Sequence, residues 1–320
     1  MSDCPLTAHE IHVPESVDGQ LPRLSNISIG SNGGPDKSSR RDKRRQLHAG
    51  RRAKVNPFPA RNHPRMETKR QIVAFGGGGF SMESGNPLLD DFVVATTGLK
   101  KPRVCFLPTA SGDADHYLVR FYNAFRERGE ASHISLFRRE RGAASIRDHL
   151  LSQDLIYVGG GSVISMLGVW RAHGLDLILR EAWERGIVLC GLSAGSLCWF
   201  EECVTTYQKE TSVTIGLGFL PWSNQVHFEL GSPAHRAFEQ KLGEGLRPGY
   251  TATDGAAFHF IDTELAQVVA SRPEARAYRI ELKGDRPKTT QLATRYLGSP
   301  DHVPLVEDSP IPWSSTPIQA

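Results

Sequence analysis

Ile187-Val-Leu-Cys-Gly-Leu-Ser-Ala-Gly-Ser-Leu-Cys-Trp199 is the stretch whose reading decides the fold. Ile187 to Cys190 is a short apolar run, long enough for a buried strand and too short for a helix. Gly191-Leu-Ser-Ala-Gly195 is a G-x-S-x-G pentapeptide, and Ser196 to Phe200 reads as the start of a helix. Strand, tight turn and helix, in that order, are the context in which such a pentapeptide lifts a serine hydroxyl above the carboxyl edge of a sheet. The small residues two before and two after Ser193 let the chain turn sharply without side-chain clash. The helix that follows aims its first N–H groups at developing negative charge. A Gly/Ser turn closing an ordinary strand–helix unit would carry the same five residues; the flanking strand and helix favour a nucleophile elbow.

Working outward, strands are expected at 71–75, 103–107, 132–137 and 155–158, with helices at 86–97, 115–128, 143–151 and 163–185, the last interrupted near Gly174. Strands that alternate with helices predict an α/β fold: a doubly wound, mostly parallel sheet with helices on both faces. Sites in such sheets form beyond the carboxyl ends of the strands. The glycine-bearing loops 76–79, 159–161 and 191–195 all fall at that edge. Gly76-Gly-Gly-Gly79 is neither G-x-G-x-x-G nor a P-loop, so it reads as a place of close backbone approach near an active-site edge and not as a nucleotide site. After Phe200 the pattern changes. Residues 211–219 have β character, Gln225-Val-His-Phe228 reads as a short strand carrying His227, and 233–242 reads as a helix. Segments 256–260, 265–271 and 275–282 read as a terminal set of strands.

Composition bounds the rest. The chain has 320 residues, 39% hydrophobic and 23% charged, enough for a globular core. The net charge of +3 hides an asymmetry. Residues 1–70 carry 14 Lys/Arg against 7 Asp/Glu, and the remainder carries 24 against 28. Residues 1–65 are aperiodic and rich in Pro, Ser, Gly and then Arg, so they are expected to form a disordered basic extension. Arg40-Arg-Asp-Lys-Arg-Arg45 reads as part of a solvated tail in preference to a nucleic-acid contact. Residues 66–286 are expected to form a single α/β domain, with 287–320 a loose tail rich in Pro, Ser and Thr. No run approaches a membrane span, and no secretory apolar region follows Met1. Cys4, Cys105, Cys190, Cys198 and Cys203 show neither zinc spacing nor an even framework, and read as reduced thiols of a cytoplasmic protein. A homodimer is left open.

A serine nucleophile needs a base, an acid that orients the base, and donors for an oxyanion. The N–H of Ala194 follows the nucleophile, and a second donor could come from Gly160 or Gly161, whose bare backbone lets a carbonyl approach. The base must be chosen among twelve histidines. His227 lies past the elbow in a short strand, whereas His259 alternates within an apolar strand and reads as packing. Pattern alone does not settle the choice.

Taken together, Val158-Gly-Gly-Gly-Ser162, Met166-Leu, Trp170-Arg-x-x-Gly-Leu-Asp176, Gly191-Leu-Ser-Ala-Gly195 with Cys198-Trp-Phe200, and Gly216-Leu-Gly-Phe-Leu-Pro221 followed by His227 resemble the peptidase E and cyanophycinase family of serine peptidases. The resemblance covers roughly residues 70–285. It implies a fold like that of class I glutamine amidotransferases, with serine in place of the amidotransferase cysteine. It implies Ser193 as nucleophile and His227 as general base. It implies Asp254, in Thr253-Asp-Gly-Ala-Ala257, at the acid position that is often glutamate in relatives. Where some relatives carry an aspartate after the elbow helix, this chain reads Glu202-Cys-Val-Thr-Thr-Tyr207, which leaves Asp254 as the acid with Glu202 and Glu210 as spares. The family's glycine loop often ends in Asn where Ser162 stands. An arginine in the helix after the histidine, here Arg236, is implied as the group that grips an acidic substrate side chain.

The expected activity is that of a serine exopeptidase acting on short peptides, above all Asp-X dipeptides, without metal or other cofactor. Hydrolysis of β-aspartyl or cyanophycin-like substrates is the enzymatic alternative. A catalytically weak binding protein that works through the basic tail is the alternative of another class. An α/β-hydrolase would run serine, acid, histidine, whereas here the histidine comes before the acid. Because the first strand begins only a few residues after Met66, a chain starting there is expected to keep the thermal midpoint and turnover of the full sequence. Scanning calorimetry and an activity assay check this; a large drop in midpoint would show that the leading segment is packed.

Overall fold

Leu189 is apolar toward one face of its sheet while Val188, Cys190 and Leu192 are apolar toward the other, which forces the elbow strand into the middle of a covered sheet. The computed structural model describes residues 69–137, 143–207 and 210–298. The expected basic extension, the remote end of the chain from 299, and Cys4 lie outside these residues. In chain order the first half contains β1 (Gln71–Phe75), α1 (Leu88–Thr96), β2 (Arg103–Leu107), α2 (Asp115–Phe125), β3 (Glu130–His133), α3 (Ala143–Leu151), β4 (Leu155–Val158), α4 (Val163–His173), α5 (Leu175–Glu184), β5 (Val188–Leu192) and α6 (Ala194–Leu197). The second half contains β6 (Phe200–Tyr207), β7 (Glu210–Ile215), β8 (Leu220–Gln225), α7 (Pro233–Gly243), β9 (Gly249–Ala252), β10 (Ala256–Ile261), β11 (Glu264–Ala270), β12 (Ala277–Lys283), β13 (Arg286–Gln291) and β14 (Thr294–Tyr296).

The strands form an eight-stranded sheet, β14-β11-β10-β1-β5-β4-β2-β3, and a six-stranded sheet, β13-β12-β9-β8-β6-β7. From β1 to β3 the larger sheet is parallel throughout, and β10 joins β1 antiparallel. Its faces separate by residue parity. Ile72, Ala74, Ile156 and Val158 enter one apolar cluster together with α3, α4 and α5. Val73, Phe75, Leu155 and Tyr157 enter the other together with α1 and α2. The doubly wound α/β architecture with helices on both faces is therefore present. The smaller sheet packs on the α4–α5 side, contributing Phe200, Leu220, Tyr250 and Ala277 to the first cluster. Among the described residues no helix is long and apolar enough to cross a membrane.

The structure differs from the sequence expectations at four places. The third strand is Glu130–His133 and not 132–137, because the buried carboxylate of Asp113 accepts from Leu136 N–H (2.8 Å) and Phe137 N–H (2.9 Å) and takes them out of any ladder. The helix expected from Ser196 to Phe200 ends at Leu197, and Phe200–Tyr207 instead forms β6, a β-rich run that pairs with β7 and β8. His227 is not in a strand: β8 stops at Gln225, and His227 has φ 51°. The first residues of the tail expected from 287 are instead strands, since Arg286–Gln291 pairs with β12 and Thr294–Tyr296 pairs with β11. These last strands are mostly exposed and polar, so only backbone pairing reveals them.

One buried group gives the fold a pH signature. Asp90, in the first turn of α1, lies 3.2 Å from Tyr157 Oη, and burial pushes its carboxyl from the ordinary 3.8 up to about 7. Between those values the unfolded chain releases a proton that the folded chain keeps, so this group makes stability fall as pH rises through the window and level off above it. Asp90→Asn removes that dependence. The thermal midpoint of the variant relative to the native chain is expected to rise from about pH 4 to about pH 7 and then stay constant, as calorimetry across that range would show. A pH-independent difference would contradict the assignment.

Candidate active site

Ser193 links β5 to α6 with φ 53° and ψ −117°, a backbone conformation that side-chain-bearing residues rarely adopt. The chain reverses so tightly that a methyl group on Gly191 would sit 2.3 Å from Gly195 O, and one on Gly195 would sit 2.3 Å from Val158 O. Both ends of the pentapeptide must therefore be glycine. Ser193 O accepts hydrogen bonds from Ser196 N–H (2.9 Å) and Leu197 N–H (3.0 Å), which starts the helix directly at the serine.

His227 and Asp254 come from the other sheet. His227 follows β8 and Asp254 follows β9. His227 N–H donates to Gly76 O (2.8 Å) and Phe228 N–H to Ala252 O (3.0 Å), fixing the turn that presents the imidazole. His227 Nδ1 is 2.6 Å from Asp254 Oδ1, and His227 Nε2 is 3.0 Å from Ser193 Oγ. A carboxylate only accepts, so Nδ1 carries the hydrogen and Nε2 is left to accept from the serine hydroxyl. The imidazole and carboxylate side chains are 41% and 35% exposed, so the pair opens to solvent. Of the spare acids, Glu202 accepts from Arg247 N–H (2.9 Å) and Glu210 lies on edge strand β7; His227 Nδ1 is bonded to Asp254.

The glycine loop after β4 lies beside the serine, since a methyl on Gly160 would come within 3.3 Å of Ser193 Cβ. Gly160 N–H, however, donates to the buried Tyr117 Oη (3.0 Å). The expectation that Gly160 supplies an oxyanion donor is thus corrected: its amide is already committed to Tyr117, and the loop's candidate donor is Gly161. Ala194 is the first residue of α6, so its N–H has no acceptor inside that helix. Tyr117 is a site-shaping residue that sequence reasoning missed. It sits on the buried face of α2, where an aromatic side chain reads as core.

The remaining candidates separate cleanly. Arg236 is exposed on α7, and its Nη1 donates to Gly231 O (2.7 Å), in the loop that follows His227. His259 is buried, with Nε2 2.9 Å from Gln71 Oε1 and Nδ1 3.2 Å from Gln267 Nε2, and burial lowers its pKa. It is a hydrogen-bonded core residue. Cys190 and Cys198 flank the elbow as free thiols, and burial holds both well above the usual thiol range, so neither competes as a nucleophile. Among the described residues no group of three or more His, Cys, Asp or Glu side chains is gathered that could hold a metal ion.

Comparison with known proteins finds relatives of this chain. Residues 72–268 match Peptidase family S51, a span that includes Ser193, His227 and Asp254. The chain is 43% identical over 231 residues to the uncharacterized peptidase YgaJ of Bacillus subtilis (strain 168), which covers 72% of this chain and 100% of that protein. It is 30% identical over 189 residues to peptidase E of Pasteurella multocida (strain Pm70), covering 54% of this chain and 76% of that one. The crystal structure of a peptidase from an acI-B1 actinobacterium shares the fold, with a TM-score of 0.54 at 17% identity over 71% of this chain and 96% of the other. The mixed α/β fold, a largely parallel sheet with helices on both faces, is consistent with the class I glutamine amidotransferase-like architecture implied by the motifs. Since the match runs from β1 into β11 and one relative aligns over its whole length, the chain belongs to Peptidase family S51 and is a peptidase.

Proposed function

We propose that this chain is a serine peptidase that hydrolyses short peptides, N-terminal Asp-X dipeptides above all, through an acyl-enzyme on Ser193. The observation that carries the proposal is the unbroken hydrogen-bonded line from Ser193 Oγ to His227 Nε2 (3.0 Å) and from His227 Nδ1 to Asp254 Oδ1 (2.6 Å). In this reading Ser193 Oγ attacks the scissile carbonyl as its proton passes to His227 Nε2. Asp254 holds the ring in the required tautomer and supports the imidazolium. Gly161 N–H and Ala194 N–H meet the developing oxyanion, where one such donor is worth about 3 kcal/mol. His227 then protonates the departing amine, and water, deprotonated by the same nitrogen, releases the acid. Preference for an acidic side chain rests on the family resemblance and on Arg236. Its Nη1 is held by Gly231 O, which keeps the guanidinium close to the loop after His227 and leaves other N–H groups of its fork to meet a carboxylate. The four described cysteines are free thiols, in keeping with a cytoplasmic enzyme.

Ser193→Ala is expected to abolish turnover and labelling by a serine-directed fluorophosphonate while keeping the thermal midpoint, because a partly exposed turn residue leaves no cavity. His227→Ala should be as severe, whereas His259→Ala should mainly lower the midpoint. Substantial peptidase activity in Ser193→Ala would overturn the serine mechanism.

The specificity has its own check. A lysine cannot reproduce the two parallel hydrogen bonds of a guanidinium, so Arg236→Lys should lower kcat/KM for Asp-X dipeptides by about tenfold or more. Labelling by the fluorophosphonate, which bears no carboxylate, should be unaffected. Unchanged kinetics on the acidic substrate would remove Arg236 from the site, and a native preference for neutral dipeptides would remove the aspartyl specificity.

A further inference from the structure

The imidazole and carboxylate of the His227–Asp254 pair are each more than a third exposed, so packing around their own atoms does not fix them. A 2.6 Å contact between two such side chains has to be imposed by the backbone that carries them. The backbone that does this is the turn at Asp254-Gly255 and the loop Gly76–Gly79 that lies against it. Gly255 N–H donates to Gly77 O (3.1 Å) and Gly255 O accepts from Ser271 N–H (2.8 Å), so the residue after the acid is held from both sides. The loop touches the pair itself: a methyl on Gly77 would sit 2.1 Å from Asp254 Oδ1 and 2.9 Å from His227 Cε1. The loop also carries the histidine backbone, through His227 N–H to Gly76 O.

Both supports converge on one carboxylate. Glu83, just past the loop, has a side chain that is 1% exposed. Its Oε2 accepts from Gly79 N–H (3.1 Å) and lies 2.8 Å from Ser271 Oγ. Its Oε1 accepts from Arg272 Nε (2.6 Å) and lies 2.9 Å from Ser271 Oγ. A buried carboxylate is costly unless it is paired and hydrogen-bonded, and this one is both. It has no place in the proton path of Ser193, His227 and Asp254. What it joins is the end of the glycine loop to the Ser271-Arg272 corner, the two pieces that grip Gly255.

We propose that Glu83 is a positioning residue for the peptidase reaction, holding the Gly76–Gly79 loop and the Ser271-Arg272 corner together so that Asp254 stays in register with His227 Nδ1. The proposal rests on the serine triad reading above. It also accounts for the glycine cluster: Gly77 must be bare so that the loop can lie against the acid and base.

The test is a double-mutant cycle read by the rate at which a fluorophosphonate probe labels Ser193. That rate needs the base but no particular peptide. Glu83→Gln keeps the shape and replaces one accepting oxygen by an NH2 group that would face a donor. It should slow labelling about tenfold in the native background, the scale expected when a catalytic group is displaced by a fraction of an ångström. In an Asp254→Asn background, where there is no carboxylate left to position, the same change should slow labelling by less than about twofold. A proton NMR signal from the short His227–Asp254 hydrogen bond should be present in the native chain and weakened in Glu83→Gln. Equal slowing in both backgrounds, or no slowing in the native one, would show that Glu83 serves the fold alone and would overturn the proposal. Should Glu83→Gln fail to fold, Ser271→Ala decides by the same cycle, because it removes the hydroxyl that lies between Glu83 and Gly255 O and leaves the Glu83–Arg272 pair in place. Failure of the native chain to label, or labelling that survives Ser193→Ala, would bring down the triad reading and this proposal with it; a labelled native chain with an inert Glu83 position brings down only the latter.

Discussion

The left-handed backbone at Ser193 is the constraint on which the rest of the site depends. A non-glycine residue held there costs on the order of 1–3 kcal/mol, and it persists only where its surroundings over-determine it. Here β5 is paired on both sides by β1 and β4, so the chain enters the turn without freedom. Gly195 is pressed against Val158 O and Gly191 against Gly195 O, so it has one way out. The strained residue is the one whose hydroxyl faces His227, and Ala194 directly after it opens a helix inside which its own N–H has no acceptor.

That turn can sit in a rigid frame because the central strands are apolar on both faces. The two clusters divided by the larger sheet are independent cores, and each holds a different loop of the site. On one side α2 brings Tyr117 up to Gly160, so an aromatic residue of the core sets the plane of the loop next to the nucleophile. On the other, Trp170 packs against Trp199 of the segment after the elbow, with its Nε1 donating to Thr109 Oγ1 (3.1 Å). Arg171, next along α4, donates to the carbonyls of Ile215 and Gly216 (2.9 and 3.1 Å). Segments that stand out separately in the sequence, around Trp170, Trp199 and Gly216, are thus one contact region behind the serine.

The parts of the fold legible in the sequence are those in which local chemistry and global role agree. β1, β2 and β4 match the expected spans because a buried parallel strand is a continuous apolar run, and the break at Gly174 marks a left-handed helix end. What was not legible depends on distant partners. β6 begins where the elbow helix is expected to continue, β9 is a four-residue strand paired within the second sheet, and β13 is polar along its length. His227 reads as a strand residue because Gln225-Val-His-Phe has strand composition; only the bonds to Gly76 and Ala252 pull it out. Gly160 and Gly161 are equivalent in sequence, and it took Tyr117, 43 residues away, to tell them apart. Ser193 stands out through its pentapeptide together with the flanking strand and helix. Asp254 is reached only through the family resemblance, because nothing near it in the chain marks a carboxylate that will face an imidazole.

The meeting of His227 and Asp254 follows from strand register. β8 and β9 are parallel neighbours, with Gln225 opposite Thr251. Two residues beyond Gln225 is His227, and three beyond Thr251 is Asp254, so both leave the same end of adjacent strands within one turn of each other. Parallel neighbours need a crossover between them, here α7, and this sets the separation of base and acid along the chain. The serine comes from the carboxyl end of β5 in the other sheet, which reaches the same place because the two sheets share one apolar cluster. The order Ser193, His227, Asp254 therefore reflects the order in which the chain builds its sheets: first the strand that leads into the serine, then a parallel strand pair whose ends carry the histidine and the aspartate. A slip of one residue between β8 and β9 would move the Asp254 carboxylate by about 3.3 Å along the strand, more than the length of the 2.6 Å bond it makes to His227. That register is itself buttressed beyond the strands, since Phe228 N–H is bonded to Ala252 O and Thr253 N–H to Arg276 O.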